Sequence, residues 1–286
     1  MYFLLGLEKN LETIAVVSKS FLKQDSMAAS FSNLKEAYFS FTKYVQSDIP
    51  QLYPVEQINF VEDGDLLDQL INIFLDNRVD TIVPKISGYN FKKINDNALL
   101  KRKFELIKKS LDVHKKNNFE HYFLVQLLFS YIFLIQSDDL ACATSPKALG
   151  LLLMDHKEWE VGDICEMFIH EIAHQLVSLD EHRFGHYLDP LELSKPENYA
   201  ISAIRNVKRP LNKVIHSLIV AFEIVAYRNS VAKFNITVKV HPKTSVLIEK
   251  IIEAIDSIIK EQHLKNLLTP RANLILELLK QKIQLC

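Results

Sequence analysis

Glycine is scarce in this sequence, and several other features are missing as well. The 286 residues include 6 glycines, 3 cysteines and 1 tryptophan. Few glycines, together with abundant leucine, isoleucine and lysine, favour helices and argue against a sandwich or a barrel. The cysteines are few, odd in number and without metal-ligand spacing, so they predict neither a disulfide framework nor a zinc site. A reducing, cytoplasmic setting is the simplest interpretation.

The charge balance and the apolar runs exclude two further classes of partner. The formal net charge is −1 at pH 7, so the composition gives no sign of a nucleic-acid partner. The longest apolar run, Tyr122–Ile135, spans 14 residues, which is shorter than a membrane-spanning helix requires. We therefore expect no nucleic-acid partner and no membrane association, and we predict a buried core helix over residues 121–136.

The stretch with recognisable chemistry is residues 163–179, DICEMFIHEIAHQLVSL, which contains an HExxH motif. Residues four apart share one face of a helix, so His170 and His174 can direct both imidazoles at one metal ion. Apolar residues recur at helical spacing around the motif and predict a helix that docks on a core. Asp163 is predicted to be the N-cap of this helix, with Glu166 as its capping-box partner.

Patterns in the rest of the chain predict an α+β fold that is predominantly helical, with a small sheet packed against helices. Further helices are predicted at residues 8–23, 32–46, 65–76, 97–116, 121–136, 210–233, 244–260 and 272–284. Strands are predicted at residues 81–87, 148–154 and 234–240. We expect residues 1–140 to be a helical region that acts as a scaffold or binds a substrate leader segment, and residues 141–286 to be the catalytic region.

Two histidines do not complete a mononuclear metal site, which needs a third protein ligand and an open position. The metzincin extension of the motif is absent, because Val177 takes its glycine place and Asp180 its last histidine place. His216 and Glu223 are the best candidates, since both fall on the predicted helix that begins at Pro210. The metal is then expected in a cleft between that helix and the HExxH helix.

A block of residues after the HExxH motif indicates one class of metal enzyme. Arg205, Arg209 and His216 stand in the pattern R-x-x-x-R-P-L-x-x-x-x-H. With the HExxH motif, this block resembles the HExxH-motif family of Fe(II)- and 2-oxoglutarate-dependent peptide β-hydroxylases, which act on ribosomally made, modified peptides. The resemblance covers residues 144–235. Residues 201–204 depart from the aromatic residues associated with the segment before the first arginine, and this departure concerns substrate choice more than metal binding.

The resemblance implies an oxidoreductase, a dioxygenase, that uses Fe(II), 2-oxoglutarate and O₂ to hydroxylate a β-carbon in a peptide substrate carrying a leader segment. His170, His174 and His216 would be the metal ligands, which leaves three positions for a bidentate 2-oxo acid and O₂. Glu223 in place of His216 would give a two-histidine, one-carboxylate set. The choice between the two stays open at this stage.

Two roles remain to be assigned. Arg205 and Arg209 would bind the distal carboxylate of 2-oxoglutarate, since the guanidinium fork suits a carboxylate. Glu171, in the catalytic motif, would orient a ligand histidine or the substrate.

The competing class is a zinc metallopeptidase. In that case Zn²⁺ lowers the pKa of a bound water, Glu171 takes its proton, and the hydroxide attacks a peptide carbonyl. A non-catalytic fold with a vestigial metal site is a third class. The arginine block favours the oxygenase.

Overall fold

The computed structural model describes residues 1–22, 30–46, 57–62, 64–75, 91–137, 142–156, 158–231 and 238–286. Of the residues that the structure describes, 67% are helical, and a small mixed sheet packs against the helices. This confirms the predicted α+β class. The chain forms two compact units. Residues Ile14–Gln175 form one, here called the sheet unit, and Met1–Thr13 with Leu176–Cys286 form the other, here called the helical unit.

Most of the described helices and strands before the HExxH helix lie close to the ranges predicted from the sequence. The helices are α1 (Tyr2–Leu5), α2 (Leu7–Val17), α3 (Phe31–Val45), α4 (Gly64–Leu75), α5 (Asn97–Asn117) and α6 (Phe119–Leu128), with a short 3₁₀ helix at Lys19–Phe21. The strands up to the HExxH helix are β1 (Asn59–Val61), β2 (Tyr131–Leu134), β3 (Cys142–Ser145) and β4 (Ala148–Met154). The assignment of separate roles to residues 1–140 and 141–286 stays a prediction.

The sheet unit is built around a four-stranded sheet of order β1-β2-β4-β3. β1, β2 and β4 are parallel, and β3 is the antiparallel edge strand. All seven residues of β4 are buried, which explains why its sequence is a continuous apolar run and confirms the predicted strand. Gly150, within β4, has φ +86, and a Cβ there would lie 3.3 Å from Phe39, so this position requires glycine.

One prediction about this unit is wrong. Residues 121–136 do not form one helix, because α6 ends at Leu128 and β2 begins at Tyr131. The break falls at Phe129 and Ser130, which are both buried. A strand and a helix that are buried on every side both appear as continuous apolar runs, so periodicity cannot separate them.

The HExxH helix, α7 (Val161–Phe184), is longer than predicted at both ends. Asp163 is not the N-cap of this helix. The Asp163 Oδ2 atom accepts the backbone N–H of Glu160 at 3.0 Å. Asp163 therefore takes the acceptor position of a capping box, which was predicted for Glu166. The helix continues to Phe184, so His182 lies in its last turn. Gly185, with φ +65, ends the helix in the left-handed conformation that glycine favours.

The helical unit contains most of the chain after α7. Its further elements are β5 (Tyr199–Ile201), β6 (Lys208–Pro210), α8 (Leu211–Val231), α9 (Thr244–Ile259), α10 (Gln262–Asn266) and α11 (Pro270–Ile283). The antiparallel β5–β6 hairpin and the short α10 were not predicted. The strand predicted at residues 81–87 lies outside the described residues, as does most of the strand predicted at residues 234–240.

Helix α8 is the central helix of this unit. It contacts α1, α9, α11, β5 and β6. Among the described helices it is the one whose length and apolar composition would allow it to cross a membrane, and 72% of its most apolar 18-residue window is buried. Burial of that extent is also typical of a core helix, so this composition by itself decides nothing about a membrane.

Candidate metal centre

The two motif histidines lie side by side on α7. Their Nε2 atoms are 3.2 Å apart, and their side chains stay partly accessible, with His170 16% exposed and His174 8% exposed as a residue. Two imidazoles on one divalent ion, with metal–nitrogen bonds of about 2.1 Å and angles between octahedral and tetrahedral values, have nitrogens roughly 3.0 to 3.4 Å apart. The pair therefore fits two neighbouring positions on one metal ion.

Packing on the opposite side of α7 holds this pair in place. Phe168, Ile172 and Ala173 are buried, so the helix docks through its apolar face as the periodicity predicts. The Gln175 Oε1 atom accepts the N–H of Gly150 at 3.3 Å, which ties α7 to β4. The histidines therefore project from a helix that is fixed to the sheet.

Glu171 points to the edge strand of the sheet. Its Oε2 accepts the Thr144 hydroxyl at 2.6 Å, and the Cys142 thiol and the Thr144 backbone N–H also donate to the carboxylate. Its Oε1 is 4.0 Å from the Nε2 of His170. Burial raises the pKa of Glu171 to about 7, although these donors act in the opposite direction. The carboxylate is therefore buried and held by three donors beside the first histidine.

An irregularity in β3 explains how Thr144 reaches this carboxylate. The pairing of β3 with β4 shifts register between Ala143 and Ser145. Such a bulge locally changes the direction of a side chain, and Thr144, itself buried, is the residue at the shift. Neither Thr144 nor Cys142 was predicted as a site residue, since no motif includes them.

The predicted co-substrate residues lie on the hairpin that leads into α8. Arg205 is exposed in the turn between β5 and β6, and Arg209 is half-buried in β6. The hairpin is tied to α8 by Ser202, whose hydroxyl donates to that of Ser217 at 3.1 Å and accepts the Arg205 N–H at 3.3 Å. One structural motif of the helical unit therefore carries both arginines and His216.

The two candidates for the third ligand have different surroundings. His216, on α8, pairs through Nε2 with Glu181 Oε2 at 3.2 Å. Burial lowers the pKa of His216, and the Glu181 carboxylate partly offsets this. Glu223 accepts the backbone N–H groups of Phe3 and Leu4 at 2.9 and 3.0 Å and pairs with the Met1 ammonium group at 3.3 Å. The carboxylate of Glu223 is thus used to hold α1.

The predicted site residues belong to both compact units. His170, Glu171 and His174 belong to the sheet unit, whereas Arg205, Arg209 and His216 belong to the helical unit. Within the described residues, no group of three or more histidine, cysteine or acidic side chains is arranged to hold a metal ion. The three-histidine ligand set therefore stays a prediction.

Comparison with known proteins assigns the chain to no family. No family model matches it, and no curated protein matches it. Arguments about function therefore depend on the residues of the site.

Proposed function

We propose that this protein is a non-haem Fe(II)- and 2-oxoglutarate-dependent oxygenase that hydroxylates a β-carbon of a residue in a peptide. The observation that carries the proposal is the 3.2 Å separation of the His170 and His174 Nε2 atoms. It matches the spacing of two cis ligands on one divalent ion. The choice of Fe(II) and 2-oxoglutarate for these two histidines rests on the resemblance of the Arg205–His216 block to the peptide β-hydroxylases.

The residues of the predicted ligand set suit Fe(II). His170 and His174 would supply two imidazoles and His216 the third, which leaves three coordination positions for a 2-oxo acid and O₂. Bound iron would supply the activation of O₂, coupled to oxidative decarboxylation of 2-oxoglutarate. Glu223 is less suited to the third position, because its carboxylate already accepts the N–H groups of Phe3 and Leu4.

Glu171 supports the oxygenase over a hydrolase. A general base in a peptidase must reach a bound water, and one of the two oxygens of Glu171, Oε2, already accepts the Thr144 hydroxyl. In an oxygenase this residue would not need to exchange protons. Its role would be to hold α7 and β3 together and so to keep the neighbouring His170 in position.

The arginines would provide the site for the co-substrate. The distal carboxylate of 2-oxoglutarate needs a cation that can donate two parallel hydrogen bonds, and arginine provides this geometry. Arg205 is exposed on its turn, so its guanidinium is accessible to a small anion. Arg209, in β6, is the second candidate for the same role.

The partners follow from the proposed reaction. The substrate would be a ribosomally made peptide, recognised with its leader segment, in a cytoplasmic setting that keeps Fe(II) reduced. No nucleic acid and no membrane take part in this scheme.

The experiment uses the full chain loaded with Fe(II) under anaerobic conditions and then exposed to O₂, 2-oxoglutarate and ascorbate. We expect succinate to form, even without peptide, through uncoupled turnover. His174→Ala should abolish succinate formation, whereas His182→Ala, a matched control on the same helix, should not. The proposal is wrong if the wild-type chain binds Fe(II) but forms no succinate, either without peptide or in the presence of a peptide library.

A zinc metallopeptidase is the second candidate, and one distance favours it. Glu171 Oε1 lies 4.0 Å from His170 Nε2, so an atom bound to that nitrogen would be within reach of the carboxylate. Zinc-dependent cleavage of a peptide, lost in Glu171→Gln, would establish this candidate and exclude the oxygenase.

A further inference from the structure

Helix α5, in the sheet unit, carries a regular row of cations on its solvent face. Its basic residues stand in neighbouring pairs that recur every seven positions, and the members of these pairs are all exposed. We call them the basic stripe: Lys101, Arg102, Lys108, Lys109, Lys115 and Lys116. One exposed acidic residue, Glu105 or Asp112, lies between successive pairs. The apolar residues of α5 are buried on its other side, so the stripe is the face that this helix offers to solvent.

The seven-residue repeat keeps the three pairs of the stripe in line. An α-helix drifts by only about 20° per seven residues, so Lys101, Lys108 and Lys115 lie along one side of α5. With a rise of about 1.5 Å per residue, this line is about 21 Å long and its pairs are about 10.5 Å apart. A second α-helix alongside has the same rise. Acidic residues that recur every seven positions on it would therefore meet each basic pair in turn.

Most of the charge of the stripe is not paired within the described part of the chain. There, the one acidic side chain paired with the stripe is Glu105, at 3.2 Å from the Nζ atom of Lys108. Six cations and two carboxylates give this face a formal charge of +4, and since the whole chain carries −1, the remainder carries −5. A compact positive face on an otherwise acidic chain attracts a negatively charged partner of similar size.

One end of the stripe continues into an exposed aromatic pair. The Lys115 Nζ atom is 5.6 Å from the centre of the Tyr122 ring, and the centres of the Tyr122 and Phe119 rings are 6.0 Å apart. Phe119 is 60% exposed. Aromatic side chains are enriched in protein interfaces, where they bury a large apolar area. The surface therefore offers a row of cations and an apolar contact at one end of it.

We propose that the basic stripe binds an acidic, helical segment of a peptide. Aspartate or glutamate recurs every seven residues in this segment and faces the three basic pairs, while an apolar side chain packs on Phe119 and Tyr122. In the proposed function this segment would be the leader of the peptide substrate. That identification rests on the proposed function, whereas the affinity of the stripe for an acidic helix does not.

The acidic residues within the row favour a peptide over other polyanions. A nucleic-acid strand carries a phosphate about every 3.4 Å, so some of its phosphates would face Glu105 and Asp112. A helical peptide can instead place neutral or basic residues opposite these two carboxylates. The negative charge of the remaining chain also opposes an extended anionic surface such as a membrane.

The test measures binding and needs neither metal nor turnover. The probe is a fluorescent alanine-based peptide of three heptads, with a pair of glutamates in each heptad and a leucine at one end. A second peptide has the same composition but unevenly spaced glutamates. The affinity of each peptide for the full-length protein is measured by fluorescence anisotropy at several salt concentrations.

Two triple variants with the same change in net charge are compared. The stripe variant combines Lys101→Gln, Lys108→Gln and Lys115→Gln. The matched control combines three exposed lysines of the helical unit: Lys9→Gln, Lys260→Gln and Lys280→Gln. Circular dichroism verifies that both variants keep the helix content of the wild type.

We expect the evenly spaced peptide to bind the wild type, and its affinity to fall as the salt concentration rises, because salt screens exposed charges. The stripe variant should bind it about 3- to 100-fold more weakly, the effect of losing three exposed ion pairs. The control variant should bind it as the wild type does. The unevenly spaced peptide should bind more weakly than the evenly spaced one.

Three results would overturn the inference. They are the absence of binding, equal affinity of the stripe variant and the wild type, and equal affinity for the two peptides, which would show that the seven-residue spacing is not recognised. Tighter binding of single-stranded oligothymidylate or of phosphatidylserine vesicles, lost in the stripe variant, would assign the stripe to another class of partner. Selective peptide binding by a protein that forms no succinate would support the inference while the proposed function fails.

Discussion

The Thr144 hydroxyl donates a 2.6 Å hydrogen bond to Glu171, so a residue at the sheet edge holds the acidic residue of the HExxH motif. Thr144→Val should remove the donor and leave a buried carboxylate poorly satisfied. We expect a loss of about 1 to 3 kcal/mol in the free energy of unfolding, measured by urea denaturation. Thr144→Ser keeps the hydroxyl and should retain most of the stability. A Thr144→Val variant as stable as the wild type would show that this hydrogen bond does not stabilise the fold.

Removal of either motif histidine should abolish metal binding at the proposed site. His170→Ala and His174→Ala each leave a single motif imidazole, which cannot hold a divalent ion tightly. Metal content after dialysis against Fe(II) or Zn²⁺ measures this. His182→Ala is the control on the same helix and should bind metal as the wild type does. Full metal content in both His170→Ala and His174→Ala would place the metal elsewhere.

Substitution of the two arginines should affect the co-substrate and not the metal. We expect Arg205→Ala or Arg209→Ala to raise the apparent KM for 2-oxoglutarate by at least about tenfold, because a charge-assisted bond to a carboxylate is worth roughly 1.5 to 3 kcal/mol. Metal content should stay unchanged. Lys208→Ala removes a positive charge from the same hairpin and controls for general electrostatics. An unchanged KM in both arginine variants would show that neither arginine binds 2-oxoglutarate.

Glu223 should prove to be a residue of the fold and not of the metal site. It is buried and accepts the Phe3 and Leu4 N–H groups and pairs with the Met1 ammonium group. Glu223→Gln should lower the free energy of unfolding by about 1 to 3 kcal/mol, since it removes the charged acceptor of the Phe3 and Leu4 N–H groups. The folded fraction should keep its metal. Loss of metal without loss of stability would instead make Glu223 the third ligand.

Acid should destabilise the protein through two buried histidines. Burial lowers the pKa of His114 and of His156 to about 4, while an unfolded histidine titrates near 6.5. The unfolded chain therefore binds more protons between these values. Stability from each group is complete above about pH 6.5 and is lost as the pH falls towards 4, with about 2 kcal/mol lost by pH 5.

Urea denaturation at pH 7 and pH 5 measures this loss. His114→Gln should reduce the difference between the two pH values, because glutamine does not titrate. His263→Gln, at an exposed position, controls for the replacement of a histidine by glutamine. A difference that is unchanged in His114→Gln would contradict the assignment.

Much of the fold could be predicted because amphipathic helices carry a clear period. The helices that became α3, α5, α9 and α11 fall close to the predicted ranges, as does the buried strand β4. The segment that became α6 and β2 could not be divided, because its surroundings are apolar on every side and the local pattern does not depend on which structure forms. The hairpin of β5 and β6 is too short to show an alternating pattern.

The candidate site, too, could be predicted only in part from the sequence. The spacing of His170 and His174 is a local property of one helix, so the sequence alone predicted that both share a face. Thr144 was missed because its role depends on a contact between elements far apart in the chain. No sequence pattern could have indicated Thr144, because an irregularity in the strand places it beside Glu171.

The contact between Phe3 and Glu223 joins residues 220 positions apart. A ribosome that adds about 5 to 20 residues per second needs roughly 10 to 40 s to make the intervening chain. During that time the apolar residues of α1 have been synthesised and their partner helix has not. The N-terminal segment of the helical unit therefore cannot pack against α8 until about 220 further residues have been synthesised.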